Sequence, residues 1–76
     1  MTNEYSVCQF FANGMYEYVC RFVLAEEAMK KFRFYTTNVS ASVGMTQRVI
    51  ITDGGDCTCM EWVFKRGITF PLAEKL

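Results

Sequence analysis

The dipeptide Asn13-Gly14 constrains this chain more than any other feature of its sequence. It separates two runs that are rich in aromatic and β-branched residues, 5–12 and 15–23. Because Asn-Gly readily adopts the positive φ angles of a tight turn, this dipeptide between two such runs is the strongest short-range signal for a hairpin. The sequence therefore predicts a β-hairpin at the N-terminal end of the chain.

The length of the turn decides which side chains share a face of this hairpin. A two-residue loop is expected to place the following residues on one face: Tyr5, Val7, Phe11, Tyr16, Tyr18, Cys20 and Phe22. A three-residue loop shifts the pairing by one residue and is expected to put Cys8 and Cys20 on the same face. Both faces are apolar in either register, so the sequence leaves the register open.

From Ala25 the apolar residues recur at helical spacing instead of alternating. The stripe is formed by Ala25, Ala28, Met29, Phe32, Tyr35, Thr36, Val39 and Val43. Phe34 breaks the pattern, because it projects among lysines on the polar side. Gly44 is a suitable residue to follow a helix C-terminus. The pattern predicts one amphipathic helix over 25–43, although the segment after Tyr35 is poor in helix formers and favours an end near Asn38.

The C-terminal half reads as three further strands, 47–53, 57–64 and 68–70. Turns rich in glycine and charged residues separate them, and Pro71 is expected to end the last strand before a loose tail. A chain of 76 residues forms one domain, 1–76. The order β-β-α-β-β-β predicts an α+β fold, with an antiparallel or mixed sheet of four to five strands and one amphipathic helix packed on one face.

The predicted sheet has more apolar surface than one helix can cover. Apolar residues make up 51% of the chain and aromatic residues 16%. The face without the helix is therefore expected to keep several aromatic side chains exposed, which is more than a monomer in water usually leaves uncovered. The sequence predicts that the protein associates with itself as a homodimer or higher oligomer, or that its sheet grips a partner.

The charge balance and the N-terminal segment indicate the cell compartment of the protein and the classes of partner that it binds. Eight basic residues balance eight acidic ones, so no net field draws the chain to nucleic acid or to an anionic membrane. The N-terminus lacks a basic segment followed by an apolar stretch, and no apolar run approaches the roughly 20 residues of a membrane span. We expect a cytoplasmic protein with no membrane association, for which nucleic acid is a disfavoured partner.

The chain contains no histidine. This removes the commonest general base, the usual serine and cysteine triads and most catalytic zinc sites. We therefore expect no catalytic residues, no cofactor and no enzymatic activity. The remaining enzymatic alternative uses the thiol of Cys57 or Cys59, but the neighbouring Asp53 and Asp56 disfavour the thiolate that would have to act as nucleophile.

The four cysteines have three interpretations. A structural zinc site is disfavoured, because Cys57 and Cys59 are too close together and Cys8 and Cys20 too far apart for the usual spacing. A disulfide is the second alternative, since the number of cysteines is even. We predict no metal and expect the cysteines to act as small buried apolar residues in strands.

The candidate binding residues come from the second strand of the hairpin, from the predicted strand 57–64 and from two turns. Asp53-Gly-Gly-Asp56 is predicted to be a turn in which glycines supply positive φ angles and aspartates cap the backbone; alternatively, its carboxylates bind a ligand. Lys65 and Arg66 lie close in sequence to aromatic residues, a combination that stacks bases and pairs phosphates. The predicted site comprises Tyr16, Tyr18, Trp62 and Phe64 as an apolar or stacking platform, Lys65 and Arg66 as anion partners, and Asp53 and Asp56 as acceptors.

Three segments of the C-terminal third, 48–57, Glu61-Trp62 and 67–71, resemble small uncharacterised proteins from prophages and other mobile elements. The resemblance implies the class of small accessory proteins that includes anti-CRISPR proteins and sponges for cyclic nucleotides. Together with the aromatic sheet, it predicts a non-enzymatic, oligomeric binding or inhibitory protein, an anti-defence factor that occupies a host protein or sequesters a small nucleotide. The alternatives are a structural or regulatory protein that associates only with itself, and a small enzyme that uses Cys57.

Overall fold

The computed structural model describes residues 3–70, which form an antiparallel sheet with helices on one side. The elements are β1 (Tyr5–Phe11), β2 (Tyr16–Val23), α1 (Ala25–Thr37), α2 (Val39–Ser42), β3 (Thr46–Thr52), β4 (Thr58–Val63) and β5 (Gly67–Phe70). The five strands lie in the order β2-β1-β3-β4-β5, and every neighbouring pair is antiparallel. The predicted α+β fold is confirmed, whereas the expected strand end at Pro71 and the tail that follows lie outside the described residues.

The β1–β2 hairpin has a three-residue loop, so the face grouping expected for a two-residue loop is wrong. The backbone N–H of Phe11 donates to the carbonyl of Met15 at 2.8 Å, and Gly14 N–H donates to the Phe11 carbonyl at 3.0 Å. Gly14 takes the positive φ of 89° that this turn requires. As a result Tyr16 pairs with Phe10 and not with Phe11.

A bulge in β2 then shifts the pairing again. Val7 lies opposite Cys20 and Cys8 lies opposite Tyr18, which leaves Val19 as the extra residue. Cys20 packs against the core under α1, whereas Cys8 points to the other side of the sheet. The expectation that a three-residue loop places Cys8 and Cys20 on the same face is therefore wrong, because the bulge cancels the shift that the loop introduces.

The predicted helix 25–43 is divided at Asn38. This residue has extended backbone angles, φ −77° and ψ −179°, and its side-chain carbonyl accepts a hydrogen bond from the N–H of Ala41 at 3.0 Å. Asparagine is a strong N-cap, and the two threonines before it are poor helix formers, so the chain ends α1 and starts the short helix α2. Gly44 follows α2 with a φ of 85°, in agreement with its predicted role.

The core lies between α1 and the middle of the sheet. It is formed by Val7, Ala28, Phe32, Val49 and Ile51, each at most 4% exposed. α1 packs against β1, β2 and β3. It therefore covers one half of the sheet, and β4 and β5 lie at its flank. Within the described residues no helix is long and apolar enough to cross a membrane.

A buried polar chain, which the sequence pattern did not predict, crosses the helix side of β1. The hydroxyl of Thr46 donates to Oε1 of Gln9, and Nε2 of Gln9 donates to Oε1 of Glu17, both at 3.1 Å. Thr46 is fully buried and Gln9 is nearly so. These bonds satisfy polar atoms that would otherwise be costly to remove from water. They also tie the start of β3 to both strands of the N-terminal hairpin.

Candidate partner-binding surface

The far face of the sheet, opposite α1, is defined by the register of the strands. It carries the side chains of Cys8, Phe10, Tyr16, Tyr18, Arg48, Ile50, Glu61 and Val63. Their neighbours in each strand point to the helix side, because successive side chains alternate. Three hollows of about 610, 360 and 210 Å³ all border α1, on the other side of the sheet. Among residues 3–70, the far face is thus a surface of side chains with no helix above it.

Aromatic rings form a connected series along one side of the far face. The ring centroids of Phe10 and Tyr16 are 5.8 Å apart, and those of Tyr16 and Tyr18 are 6.3 Å apart in an edge-to-face arrangement. The guanidinium of Arg21 lies 4.4 Å from the Tyr18 centroid and 5.0 Å from the Phe22 centroid. We call these five residues the aromatic row.

The aromatic row is strongly exposed for a set of touching rings. Tyr16 is 62% exposed, Tyr18 42% and Phe22 60%. Phe22 has a positive φ of 55°, which is rare for a bulky residue, and its N–H donates to the hydroxyl of Ser6 at 3.3 Å. The fold therefore holds an aromatic side chain in water at the cost of an unfavourable backbone angle.

A second arginine, Arg48, extends the far face towards β4. Its guanidinium lies 4.8 Å from the Phe10 centroid and pairs with the carboxylate of Glu61. A hydrogen bond from the Thr69 hydroxyl, at 2.7 Å, and then the Arg48 contact lower the pKa of Glu61. The charge of Arg48 is thus compensated. Arg21 has no carboxylate within 4.0 Å in the part of the chain that the structure describes, so its charge is available to a partner.

The middle of the far face is shielded by its neighbours. Cys8 is 3% exposed and Ile50 is 8% exposed. These two residues pair with each other, and Tyr18 and Glu61 flank them across the neighbouring strands. Long side chains at the sides of the face therefore keep water from its centre, while their own outer surfaces remain wet.

The structure separates the aromatic residues of the predicted site. Tyr16 and Tyr18 lie in the aromatic row, but Trp62 packs against the core on the helix side. Phe64 also lies on the helix side, where its ring approaches the backbone of Gly44. Trp62 and Phe64 therefore cannot form one platform with the two tyrosines, because the sheet stands between them.

The charged residues of the predicted site lie at opposite ends of the sheet. Lys65 and Arg66 belong to the turn between β4 and β5, whereas Asp53 and Asp56 belong to the turn between β3 and β4. Successive hairpins of an antiparallel sheet turn back at opposite ends. The eight predicted residues thus fall into several separate places and do not form a single site.

Asp53 has the structural role that the turn interpretation gave it. Its Oδ1 accepts hydrogen bonds from the N–H groups of Gly55 at 2.9 Å and Cys57 at 3.1 Å. The expected role of the glycines is wrong, because the positive φ of this turn, 62°, belongs to Asp56. Since Asp53 already caps the turn, it is a weaker candidate for ligand binding.

The four cysteines are free. Cys8 is buried and Cys20 and Cys59 are half-buried, in line with the expected apolar role, whereas Cys57 is exposed. Burial is the main cause that raises the pKa values of Cys8, Cys20 and Cys59, and Asp53 raises the pKa of Cys59 further. These three thiols therefore stay protonated and are poor nucleophiles at neutral pH. Residues 3–70 contain no group of three or more side chains that could hold a metal ion.

The predicted site lacks Phe10, Arg21 and Phe22 of the aromatic row, and it lacks Arg48 beside the row. A signal was present, because Arg21 and Phe22 lie in the same predicted strand, 15–23, as the two tyrosines. It could not be used without the register, which decides whether an arginine faces a ring or the opposite side.

Comparisons with protein-family models, with curated proteins and with solved structures found no match to this chain. What can be inferred about its function therefore rests on its own surfaces, and the aromatic row is the most distinctive of them.

Proposed function

We propose that this chain is a non-enzymatic binding protein of the inhibitory type. It associates with itself by burying its aromatic row against a second copy, and a host protein competes for the same row. The observation that carries the proposal is the connected set of rings, three of them exposed, together with the guanidinium of Arg21, which has no carboxylate partner among residues 3–70. Tyrosine and arginine are enriched among the residues that dominate the energy of protein interfaces. Exposed rings held in touching positions lose little conformational entropy when a partner covers them.

The shape of the far face favours a protein over a small nucleotide. Small ligands generally bind in concave pockets that bury most of their surface. The far face is an open sheet surface, and the hollows described above border α1 instead. Protein interfaces are enriched in aromatic residues and arginine and need no pocket.

The occupant that we propose for the row is a second copy of the chain. Each large aromatic side chain buries on the order of 150–250 Å², so the exposed rings of the row offer roughly 500 Å² per copy. Two copies together then bury about 1,000 Å², which is the lower limit for a specific interface. Since both helices of residues 3–70 lie on the other face, two sheets can approach to the roughly 10 Å of ordinary sheet packing. The dimer should be reversible, and a host protein would compete for the same row.

Two further observations support the non-enzymatic part of the proposal. The chain lacks histidine, and three of its four thiols have raised pKa values. We extend the proposal to an anti-defence role in the cytoplasm of a host cell, and this extension rests only on the resemblance of the segments 48–57, 61–62 and 67–71 to prophage proteins. In that role the protein acts by occupying a host protein and not by chemical modification.

The test measures how the molecular mass of the protein in solution depends on protein concentration, by light scattering and sedimentation. We expect the unaltered protein to form dimers in the micromolar range. The double variant Tyr16→Thr/Tyr18→Thr should weaken dimerisation by at least about tenfold, because it removes two central rings of the row. Threonine keeps the strand preference of these positions. The matched control is Phe34→Thr, which removes a ring that is 58% exposed on α1 and should leave the dimer unchanged.

Two results would contradict the proposal. One is a monomer at all concentrations up to the millimolar range. The other is a dimer that Phe34→Thr weakens as much as the double variant does. If instead the purified protein carries excess ultraviolet absorbance of nucleobases, and heating releases it, then nucleotide sequestration replaces protein binding as the function.

A further inference from the structure

A second apolar surface lies on the helix side of the sheet, beside α1. We call it the shelf and define it by Met60, Trp62 and Ile68. Trp62 and Ile68 lie opposite each other on β4 and β5, and Met60 precedes Trp62 by two residues on the same strand face. Ile68 is 51% exposed, and Met60 and Trp62 are half-buried. The shelf is thus apolar but only partly covered.

The dimensions of the sheet explain why the shelf is open. Strands lie about 4.8 Å apart, so five strands span roughly 20 Å or more between their outer edges. A helix with its side chains is about 10 Å wide and covers two to three strands. α1 lies on β1, β2 and β3. No helix of residues 3–70 lies above β4 and β5, and the width of these two strands matches one further helix.

A hollow at the boundary between α1 and the shelf offers an anchor point. It has a volume of about 210 Å³, and its lining includes Ala28 and Met29 of α1, Ile51 of β3 and Met60 of β4. The volume suits one large apolar side chain. A single large side chain in such a pocket is the usual anchor of a helix that docks into a groove.

The charges at the two ends of the shelf favour one orientation of a helix that binds there. Glu4, Asp53 and Asp56 lie at one end, where Glu4 packs against Gly54 of the turn. Glu4 is also the main cause that raises the pKa of the neighbouring Tyr5, and Asp53 contributes, in agreement with a concentration of negative charge. Lys65 and Arg66 lie at the opposite end. A helix carries partial positive charge at its N-terminus and negative charge at its C-terminus, so it fits the shelf in one orientation.

We infer that the shelf docks an amphipathic helix of a partner protein, parallel to α1, with its N-terminus at the Asp53–Asp56 end and one large apolar side chain in the hollow. This inference does not depend on the function proposed above, because the shelf and the aromatic row lie on opposite faces of the sheet. Failure of one leaves the other standing.

The chain itself provides the reporter for a binding test. Trp62 is the only tryptophan, so intrinsic tryptophan fluorescence reports on the shelf alone. The probe is an acetylated and amidated helical peptide of about four turns, with leucine at positions i, i+3, i+4 and i+7 and alanine, glutamine and lysine elsewhere. We expect a saturable change in Trp62 fluorescence. Ile68→Glu should weaken binding by about tenfold or more, because it places a charge on the shelf.

The control variant for this titration is Val39→Glu. Val39 is 76% exposed on α2, away from the shelf, so the substitution adds the same charge without altering the proposed site. Circular dichroism of both variants checks that the fold is retained. The affinity of the Val39→Glu variant for the peptide should equal that of the unaltered protein.

The orientation of the helix can be measured by disulfide trapping, because Cys57 is exposed at the acidic end of the shelf. Two peptides are compared, one with a cysteine in its first turn and one with a cysteine in its last turn, with oxidised glutathione as the oxidant. The first peptide should form the disulfide with Cys57 faster, and Cys57→Ser should abolish the product.

Several outcomes would overturn the inference. They are an unchanged Trp62 fluorescence on peptide addition, equal affinities for the Ile68→Glu and Val39→Glu variants, and faster trapping of the peptide whose cysteine is in its last turn. A change of Trp62 fluorescence with protein concentration alone, without peptide, would assign the shelf to a second copy of the chain instead.

Discussion

Ile50 and Ile51 are neighbours in β3 that point to opposite faces of the sheet, and both are nearly buried, at 8% and 4% exposure. Ile51 is buried because α1 lies over it. No helix in the described part of the chain lies over Ile50, which is shielded by side chains from the adjacent strands. A sheet can therefore bury its centre with a second layer or with its own flanking side chains. The second way leaves the outer surfaces of the shielding rings in water, which makes the far face a surface for a partner.

The largest expected effect comes from truncating each isoleucine in turn. Ile51→Ala should cost about 3–5 kcal/mol of the free energy of unfolding, because the helix and the sheet cannot both relax into the cavity. Ile50→Ala should cost about 2 kcal/mol, since the side chains around it are free to move inwards. Denaturant unfolding measures both. A domain of this size has little stability to lose, so the milder Ile→Val variants are measured as well. Ile51→Val should lower the free energy of unfolding more than Ile50→Val does.

Equal costs at the two positions would break this comparison. They would mean that the far face is packed as rigidly as the core under α1.

A smaller effect is expected at two glycines in connecting loops, Gly44 between α2 and β3 and Gly14 between β1 and β2. Gly44 and Gly14 have φ angles of 85° and 89°, so alanine is strained at both positions. A methyl group at Gly44 would also lie 3.0 Å from the ring of Phe64, whereas nothing lies within 4 Å at Gly14. We expect a loss of about 2 kcal/mol for Gly44→Ala and about 1 kcal/mol for Gly14→Ala, measured by thermal unfolding.

The difference between the two glycine variants measures the contact between Gly44, which follows α2, and the ring of Phe64, which follows β4. Equal losses would show that Phe64 moves aside without cost.

The smallest effect concerns the ion pair of the far face. The Thr69 hydroxyl and the Arg48 guanidinium hold the pKa of Glu61 below its usual value. The stabilisation is therefore present above the unfolded pKa, about 4.3, and is lost as the pH falls through the lower pKa of the folded state. We expect a loss on the order of 1 kcal/mol across this interval. Denaturation midpoints measured between neutral and acidic pH test this, and Glu61→Gln should flatten that part of the profile.

If Thr69→Val flattens the profile as Glu61→Gln does, then the hydrogen bond is the main cause of the shift. A profile that neither variant changes would show that the far face holds no coupled charge.

Local signals were enough to predict most of the secondary structure. Asn13-Gly14 marked the hairpin, the change of period at Ala25 marked the helix, and the strands lie within two residues of their predicted bounds. Each of these features depends on residues that are near one another in the sequence. Asn38 shows the same rule at its limit: the poor helix formers around it favoured a helix end near this residue, and α1 does end there although the apolar stripe continues to Val43.

The candidate site was much less predictable. Tyr16 and Tyr18 were named from the sequence, but the sequence placed them with Trp62 and Phe64, which the sheet separates from them. Which face a side chain occupies depends on the pairing of distant strands, and a shift of one residue reverses it.

The sequence by itself determined the α+β class, the order of the elements and the surplus of apolar surface, because these follow from local periodicity and composition. Only the tertiary structure decided the register of β2, through a three-residue loop, a bulge at Val19 and a second shift between Cys20 and Val23. That register turns Tyr16, Tyr18 and Arg21 to one face. The physical reason is that packing between side chains on different strands selects a bulge. The pattern of residues along one strand does not show which of these side chains will pack together.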